Sequence, residues 1–324
     1  MKAIIITRYG SPDVLKLTEI EKPTAKDNEV LLKVKSASVT AADTMMRKGK
    51  PLYGRLFIGL KKPKYPIIGT GFSGVIEKIG PAVTSFKVGD EVYGESIFGA
   101  GTNAEYLCVP EDGMLAPKPE YLTHEEVASV CDGPLTSWNF LKEIAKVKKG
   151  QKVLVYGASG SLGTAAVQLA NHLGAEVTGV CGTSNMEMVQ SLGAAYIIDY
   201  TQTDFTKTEK RYDVIFDTVG KTSFSKSKKV LVNKGSYLSP VLGTPLLFQV
   251  LWTSIFGTKK ALFSATGLKT EKELRKLFDE LNELLESRQL KMLIDKRFSL
   301  EQVPDAHRYV DTGRKKGNVV VQIR

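Results

Sequence analysis

Tyr156-Gly157-Ala158-Ser159-Gly160-Ser161-Leu162-Gly163 decides the reading of this chain. It follows the apolar run Lys152 to Tyr156 and opens a helical pattern from Ser161 to Leu173. A glycine-rich turn between a strand and a helix lets backbone N–H groups approach a pyrophosphate, which the positive end of the helix attracts. The spacing is Gly-x-x-Gly-x-x-Gly, not the standard Gly-x-Gly-x-x-Gly. Glycines also serve tight turns, so placement carries the weight. Gly174 ends the helix, and a second strand, Glu176 to Cys181, follows at once. Gly157, Ala158, Ser159, Gly160, Ser161, Leu162 and Gly163 are therefore candidate dinucleotide contacts.

Working outward, strands and helices alternate. Asn185 to Leu192 reads as a helix, Tyr196 to Asp199 and Asp213 to Phe216 as strands, Ser223 to Val232 as a helix and Gly235 to Ser239 as a strand. Fully apolar strands alternating with helices predict a parallel, doubly wound sheet, so the fold class is α/β. Before Thr123 the character differs. Lys2 to Thr7, Glu29 to Ala37, Gly71 to Ile79 and Glu91 to Tyr93 are short β-type runs, with Pro81, Gly89-Asp90 and Pro110 to Pro119 as turns. Gly99 to Pro110 reads as a turn and a further strand. Thr123 with Glu126 is a helix N-cap signature, Glu271 to Arg288 is an amphipathic helix, and Gly317 to Ile323 is a closing strand.

An acid at the end of the second strand, roughly 20 residues past the turn, usually binds the ribose hydroxyls of NAD. Here that end reads Val180-Cys181-Gly182-Thr183-Ser184-Asn185-Met186, without an acid or a basic residue. Thr183, Ser184 and Asn185 are small donors suited to a 2′-phosphate. NADPH is the expected cofactor.

With 324 residues, the chain exceeds the ~250–300 at which a single core stops growing, so two domains are expected. Three separated cysteines (Cys108, Cys131, Cys181) exclude a disulfide framework and suit a reducing cytoplasm. Ala3 to Ile6 is too short for a secretory apolar region, and Pro240 to Phe256 falls short of a membrane span. We read the latter as a buried or interface segment, with membrane-surface contact as the alternative. The net charge is +10. Thr44 to Ile76 holds seven basic residues and no acid, and Thr218 to Thr270 holds eight lysines and no acid. Such charge attracts anions. No zinc-finger or RNA-binding fingerprint accompanies it, so specific nucleic-acid binding is not expected.

The accumulated motifs resemble a family. Val39 to Gly49 (VTAADTMMRKG), Ile68 to Gly80 (IGTGFSGVIEKIG), Lys87 to Gly94 (KVGDEVYG), Thr102 to Pro110 (TNAEYLCVP), Gly157 to Gly163, Ser191 to Tyr200 (SLGAAYIIDY), Asp217 to Gly220 (DTVG) and the closing Gly-Asn-Val-Val-Val occur in order. The chain resembles the medium-chain dehydrogenase/reductase superfamily, in its zinc-independent quinone oxidoreductase (zeta-crystallin-like) branch. The resemblance implies a GroES-like, β-rich catalytic domain (1–123 and 265–324), an inserted Rossmann NADP-binding domain (124–264), an active site in the cleft and a homodimer. It implies that Thr136 fixes the face of the nicotinamide, that Tyr200 packs near the 2′-phosphate, and that Asp217 to Gly220, Val219 included, line the adenine ribose. Cys181 and Gly182 would join the cofactor contacts. Leu242 and Phe263 would flank the nicotinamide, and Lys316 or Asn318 would reach the phosphates. Tyr53 reads either as a proton donor or as a packed aromatic. Asp43 reads as a residue that orients its loop or binds a ribose, in preference to a base. Gly49 to Pro66 is longer and more basic than the family minimum and is read as a lid or lip.

Against the zinc alcohol dehydrogenases, this chain has Thr40 for a Cys ligand, Thr70-Gly71 for a His-Glu pair and Asp132 for a second Cys. Ala42 and Met45 replace the proton relay, and the four-cysteine zinc lobe is missing. A catalytic zinc takes about three protein ligands, so no metal is expected. His124, His172 and His307 read as surface or helix residues. Without a Lewis acid, the remaining chemistry is hydride addition to a small hydrophobic quinone or enone. The alternatives are an alcohol or aldehyde oxidoreductase of the same superfamily, and a non-catalytic NADP-binding protein with nucleic-acid or membrane-surface affinity.

Overall fold

The computed structural model describes residues 1–96, 101–264 and 269–324. The turn expected at Gly99-Ala100 lies outside them. The chain divides into two compact units, Met1–Asp132 with Met292–Arg324, and Gly133–Lys291.

The first unit begins with an antiparallel pair, β1 (Lys2–Ile6) and β2 (Leu15–Glu19). Its main strands are β3 (Glu29–Ser38), β4 (Gly71–Ile79), β5 (Glu91–Glu95), β6 (Tyr106–Pro110) and β7 (Met114–Pro117). Between them lie α1 (Ala41–Lys48), α2 (Arg55–Ile58) and α3 (His124–Val127). Thr123 caps α3, accepting from the Glu126 N–H while Glu126 accepts from Thr123. Pro110 to Pro119 is not turn throughout, because Met114–Pro117 pairs with β5 and buries Met114, Leu115 and Ala116.

The second unit carries α4 (Gly133–Trp138), β8 (Lys152–Tyr156), α5 (Ser161–His172), β9 (Glu176–Cys181), α6 (Met186–Ser191) and β10 (Tyr196–Asp199). There follow β11 (Tyr212–Asp217), α7 (Phe224–Ser227), β12 (Leu231–Ser239), α8 (Thr244–Ile255), β13 (Lys260–Phe263) and α9 (Glu271–Glu286). The strands form a parallel sheet in the order β10-β9-β8-β11-β12-β13. The order in which strands are added reverses between β8 and β11, and at such a switch point a ligand meets the carboxyl ends of the strands. Val153, Leu154, Val155, Ile215 and Phe216 are fully buried at the sheet centre, as continuous apolar strands require. The helix expected over Ser223 to Val232 is one turn only. Leu231 pairs with Tyr212 and is drawn into the sheet, so the chain extends before Gly235.

The chain then returns to the first unit with β14 (Ile294–Ser299), α10 (Val303–Asp311) and β15 (Asn318–Gln322). These strands complete a seven-stranded sheet, β14-β15-β3-β4-β5-β7, with β6 on β3. Val319 and Val321 join Val30, Leu32, Phe72 and Val303 in its core. The return falls at 291/292, where 264/265 was expected. The cause is α9, whose Leu277, Phe278 and Leu281 are buried and whose Glu280 accepts from Trp138 Nε1 at 2.8 Å and pairs with Lys142 at 2.9 Å. The expected division at 123/124 falls at 132/133, because α3 packs on β3 and β4.

Candidate functional site

The glycine turn is built from close approaches. Gly157 has φ +78°, a left-handed conformation that favours glycine, and its N–H donates to Val180 O at 3.1 Å. A Cβ on Gly163 would lie 2.1 Å from Gly157 O, so only glycine lets α5 start this close to the turn. Gly160 differs, because a Cβ there would meet nothing nearer than 3.7 Å. The protein itself has room for a side chain at Gly160, and the open space lies at the amino end of a twelve-residue helix. Ala158, Ser161 and Gly163 are buried, while Ser159, Gly160 and Leu162 are half-buried. A phosphate fits such a cradle, because the first N–H groups of a helix lack internal partners.

The other expected cofactor contacts of this unit gather around the turn. Asn185 Nδ2 donates to Ser159 Oγ at 3.3 Å, and a Cβ on Gly182 would lie 3.5 Å from the Tyr200 hydroxyl. Ser184 is exposed beside them. Cys181 points inward, and burial pushes its thiol up to about 11, so its backbone alone is available. Thr183 is already engaged, because its hydroxyl donates to Asp199 Oδ2 at 2.5 Å. Hydrogen bonds from Thr183 and Thr201 hold the Asp199 carboxyl below its ordinary range. Asp199 was missed because an acid was sought at the end of β9. It comes from the next strand, where Asp199 pairs with Cys181.

Val219 overhangs the turn, its Cγ1 lying 2.8 Å from a Cβ placed on Gly157. Asp217 cannot line a ribose with its carboxylate. It is fully buried and accepts from Gly220 N at 2.8 Å, Thr222 N at 3.0 Å and the Tyr237 hydroxyl at 2.9 Å. It shapes the 218–222 loop, which leaves Val219 and Gly220 exposed beside the turn. Val241 packs on Gly220, and Leu242 after it is half-buried against the core. Phe263 ends β13 opposite Ser239. Thr136 is half-buried on α4, and the first residue of that helix, Gly133, packs on Ser161.

In the first unit, Thr40 caps α1. Asp43 Oδ2 accepts from Thr40 N and Oγ1, both at 2.8 Å, and Asp43 N donates back to Thr40 Oγ1 at 3.0 Å. Asp43 thus fixes its own loop. Burial pushes its carboxyl up to about 7, with Asp132 adding to the rise and Lys315 opposing it. Glu95 rises to about 8 from burial and the nearby Asp132 and Asp43. Burial lowers the Lys315 ammonium, against the pull of Asp132, Asp295 and Asp43.

The zinc positions fit no zinc. Thr40 is a cap, and a Cβ on Gly71 would strike Ala128 O at 2.3 Å. Among the described residues, no group of three His, Cys, Asp or Glu side chains is placed to hold a metal ion. His124 Nδ1 meets Ser73 Oγ at 2.7 Å, and His307 is fully buried on α10, so it is not a surface residue.

Tyr53 is half exposed in a short turn, and partial burial raises its phenol. The 49–66 segment is tethered from within the unit. The Tyr9 hydroxyl donates to Ile58 O at 3.1 Å, and Arg55 lies over the Tyr9 ring and donates to Gly49 O at 3.0 Å. Tyr9, Met46, Ile58, Tyr65, Ile67 and Thr70 line an apolar recess beneath it. Asn318 is buried and donates to Leu293 O at 3.1 Å, so of the expected phosphate partners only Lys316 is exposed.

Comparison with known proteins agrees with this geometry. Residues 26–120 match the alcohol dehydrogenase GroES-like domain model, and residues 192–321 match a model described as zinc-binding dehydrogenase. A 2-methylene-furan-3-one reductase of Solanum lycopersicum is 34% identical, over 99% of this chain and 79% of its own length. An NADPH-dependent alkenal/one oxidoreductase, chloroplastic, of Arabidopsis thaliana is 32% identical over the same shares, 99% and 79%. The solved quinone oxidoreductase of Coxiella burnetii has a TM-score of 0.86 at 28% identity, covering 100% of this chain and 99% of that one. With a Rossmann cradle in one unit, a GroES-like sheet in the other and reductases as its relatives, this chain belongs to the quinone oxidoreductase branch of the medium-chain dehydrogenase/reductase superfamily.

Proposed function

We propose that this oxidoreductase uses NADPH to reduce quinones or α,β-unsaturated carbonyls, without zinc. The observation that carries the reading is the donor set at Thr40, Thr70, Gly71 and Asp132, which offers one carboxylate where catalytic zinc takes about three ligands. A simple alkoxide would go unstabilised there, whereas a quinone or enone spreads incoming charge through its own π system. The relatives' names, alkenal/one and quinone oxidoreductase, support the same class.

The open space at Gly160 and the start of α5 fit a pyrophosphate, with Ser159, Asn185 and Tyr200 beside it. The nicotinamide cofactor, when bound, supplies the hydride. Thr136, Leu242 and Phe263 are read as walls of its nicotinamide end. Lys316 is read as a phosphate contact and Tyr53 as the donor of a proton to the reduced acceptor. The apolar recess under the 49–66 segment suits a small hydrophobic acceptor.

We read the protein as a homodimer in a reducing compartment, the cytoplasm, where its three free cysteines stay reduced. No described helix is long and apolar enough to cross a membrane. Purified protein, NADPH and a panel of quinones, enones and aldehydes test the activity through loss of the reduced-nicotinamide signal. Turnover of quinones or enones with stoichiometric zinc absent is expected. Turnover confined to alcohols and aldehydes, or abolished by chelators, refutes the reading. Tyr53→Phe is expected to lower kcat for enones by roughly a hundredfold with KM little changed.

A further inference from the structure

Helix α8 is apolar on both sides, yet only one side is covered. Leu246 and Thr253 are buried, and Val250 packs on the core of the Rossmann unit. Placed at roughly 100° per residue, Leu247, Phe248, Leu251, Trp252 and Ile255 occupy an arc of about 140° on the opposite side. All five are exposed, Trp252 at 65% and Ile255 at 76%. Phe256 continues the stripe, its ring 4.8 Å from that of Trp252. A helix apolar all round is ordinarily buried all round. An exposed stripe that includes Trp and Phe marks a contact surface.

The surroundings of the stripe say what it contacts. Gln249 Nε2 donates to Ser225 Oγ at 2.9 Å, which sets α8 beside α7. Lys226, Lys228 and Lys229 are exposed there. Lys259 Nζ reaches Lys228 O at 2.6 Å, and Lys260 Nζ reaches Thr253 O at the end of α8. Thr218 to Thr270 contains no acid, although Asp204 acts on Lys226 from outside that segment. A stripe of Leu, Ile, Phe and Trp with lysines along its border is the composition of a helix that lies in the plane of a membrane interface. Acyl chains take the apolar stripe, and anionic headgroups take the lysines. With a net charge of +10, a second copy of this chain is a less favourable partner than an anionic surface, so charge complementarity favours the lipid.

We propose that α8 and the lysines beside it seat this protein on anionic phospholipid membranes. Flotation with vesicles of phosphatidylcholine alone, and with about 30% phosphatidylglycerol, tests this on the full-length protein. Trp252 supplies a second readout, because the other tryptophan, Trp138, is buried. Binding to the anionic vesicles, lost in high salt and accompanied by a blue shift of tryptophan emission, is expected. Phe248→Ser with Trp252→Ser should weaken partitioning by roughly tenfold or more. Lys228→Glu with Lys229→Glu should abolish the preference for anionic lipid. Neither pair contacts the glycine turn, so NADPH turnover with a water-soluble quinone should persist and report that the variants fold. No binding, equal binding to both vesicles, or binding that the charge reversals leave unchanged overturns the proposal. Self-association that shields Trp252 and excludes vesicles overturns it in favour of a second copy.

Discussion

The Thr183 hydroxyl donates to the Asp199 carboxylate across 2.5 Å, tying together the ends of two neighbouring parallel strands. Hydrogen bonds from Thr183 and Thr201 keep Asp199 ionised at neutral pH. The expected 2′-phosphate donor is thus also the holder of a negative charge. Like charges repel, so Asp199 is expected to moderate the preference for NADPH. Asp199→Asn should tighten NADPH binding several-fold and leave NADH unchanged or weaker. Fluorescence titration of the two reduced cofactors measures this, and an unchanged ratio of dissociation constants would separate Asp199 from the phosphate.

Gly160 and Gly163 stand three residues apart and should fail in different ways. A Cβ at Gly163 would sit 2.1 Å from Gly157 O, so Gly163→Ala forces backbone apart and should cost roughly 1–3 kcal/mol of stability. At Gly160 the nearest heavy atom is 3.7 Å away, so Gly160→Ala should fold with a Tm within a few degrees of wild type. Its cofactor affinity should nevertheless fall at least tenfold, because the methyl enters the space proposed for the phosphate. Thermal melts with and without NADPH separate the two effects. A Gly160→Ala protein with unaltered cofactor affinity would place the phosphate elsewhere.

Glu95 and Asp43 set the alkaline side of the stability profile. Burial raises Glu95 to about 8 and Asp43 to about 7, above the ordinary carboxyl range of the unfolded chain. Between about pH 4 and those values the folded state holds more protons than the unfolded state, so stability falls as pH rises through that window. Glu95→Gln removes the group that ionises at cost. It should flatten the decline between pH 5 and 8 and gain on the order of 1–3 kcal/mol at pH 8. Denaturant melts across this range check the sign, and a wild-type profile that rises toward pH 8 would contradict it.

The strand–turn–helix at Gly157 could be read without a structure because its signal is local. One apolar strand, three glycines and a helix pattern lie within about twenty residues. The parallel sheet was legible for the same reason. What escaped depends on neighbours distant in sequence. Asp199 matters only because β10 pairs with β9, and the commitment of Asp217 to its own loop needs Thr222 and Tyr237 in place. The extent of the second unit turned on α9 choosing Trp138 and Lys142 as partners, and periodicity alone does not name a helix's partner. For α8, composition gave apolarity but not which side is covered.

His307 sets the acid side. It is fully buried on α10, and burial, with Arg47 and Lys48 nearby and Asp311 opposing them, drives its imidazolium down to about 3. The unfolded chain takes up this proton near pH 6.5 while the folded chain refuses it until about 3. Below pH 6.5 stability should therefore fall by about 1.4 kcal/mol for each pH unit from this residue alone. His307→Gln keeps a similar polar volume without a titrating ring. It should lower stability at pH 8 through imperfect packing, yet lose less on going to pH 5 than the wild type does. The crossing of the two profiles is the readout. Parallel profiles would mean that the acid sensitivity belongs to the Arg47–Asp311 pair, whose 2.6 Å contact loses its charge partner when the carboxylate is protonated.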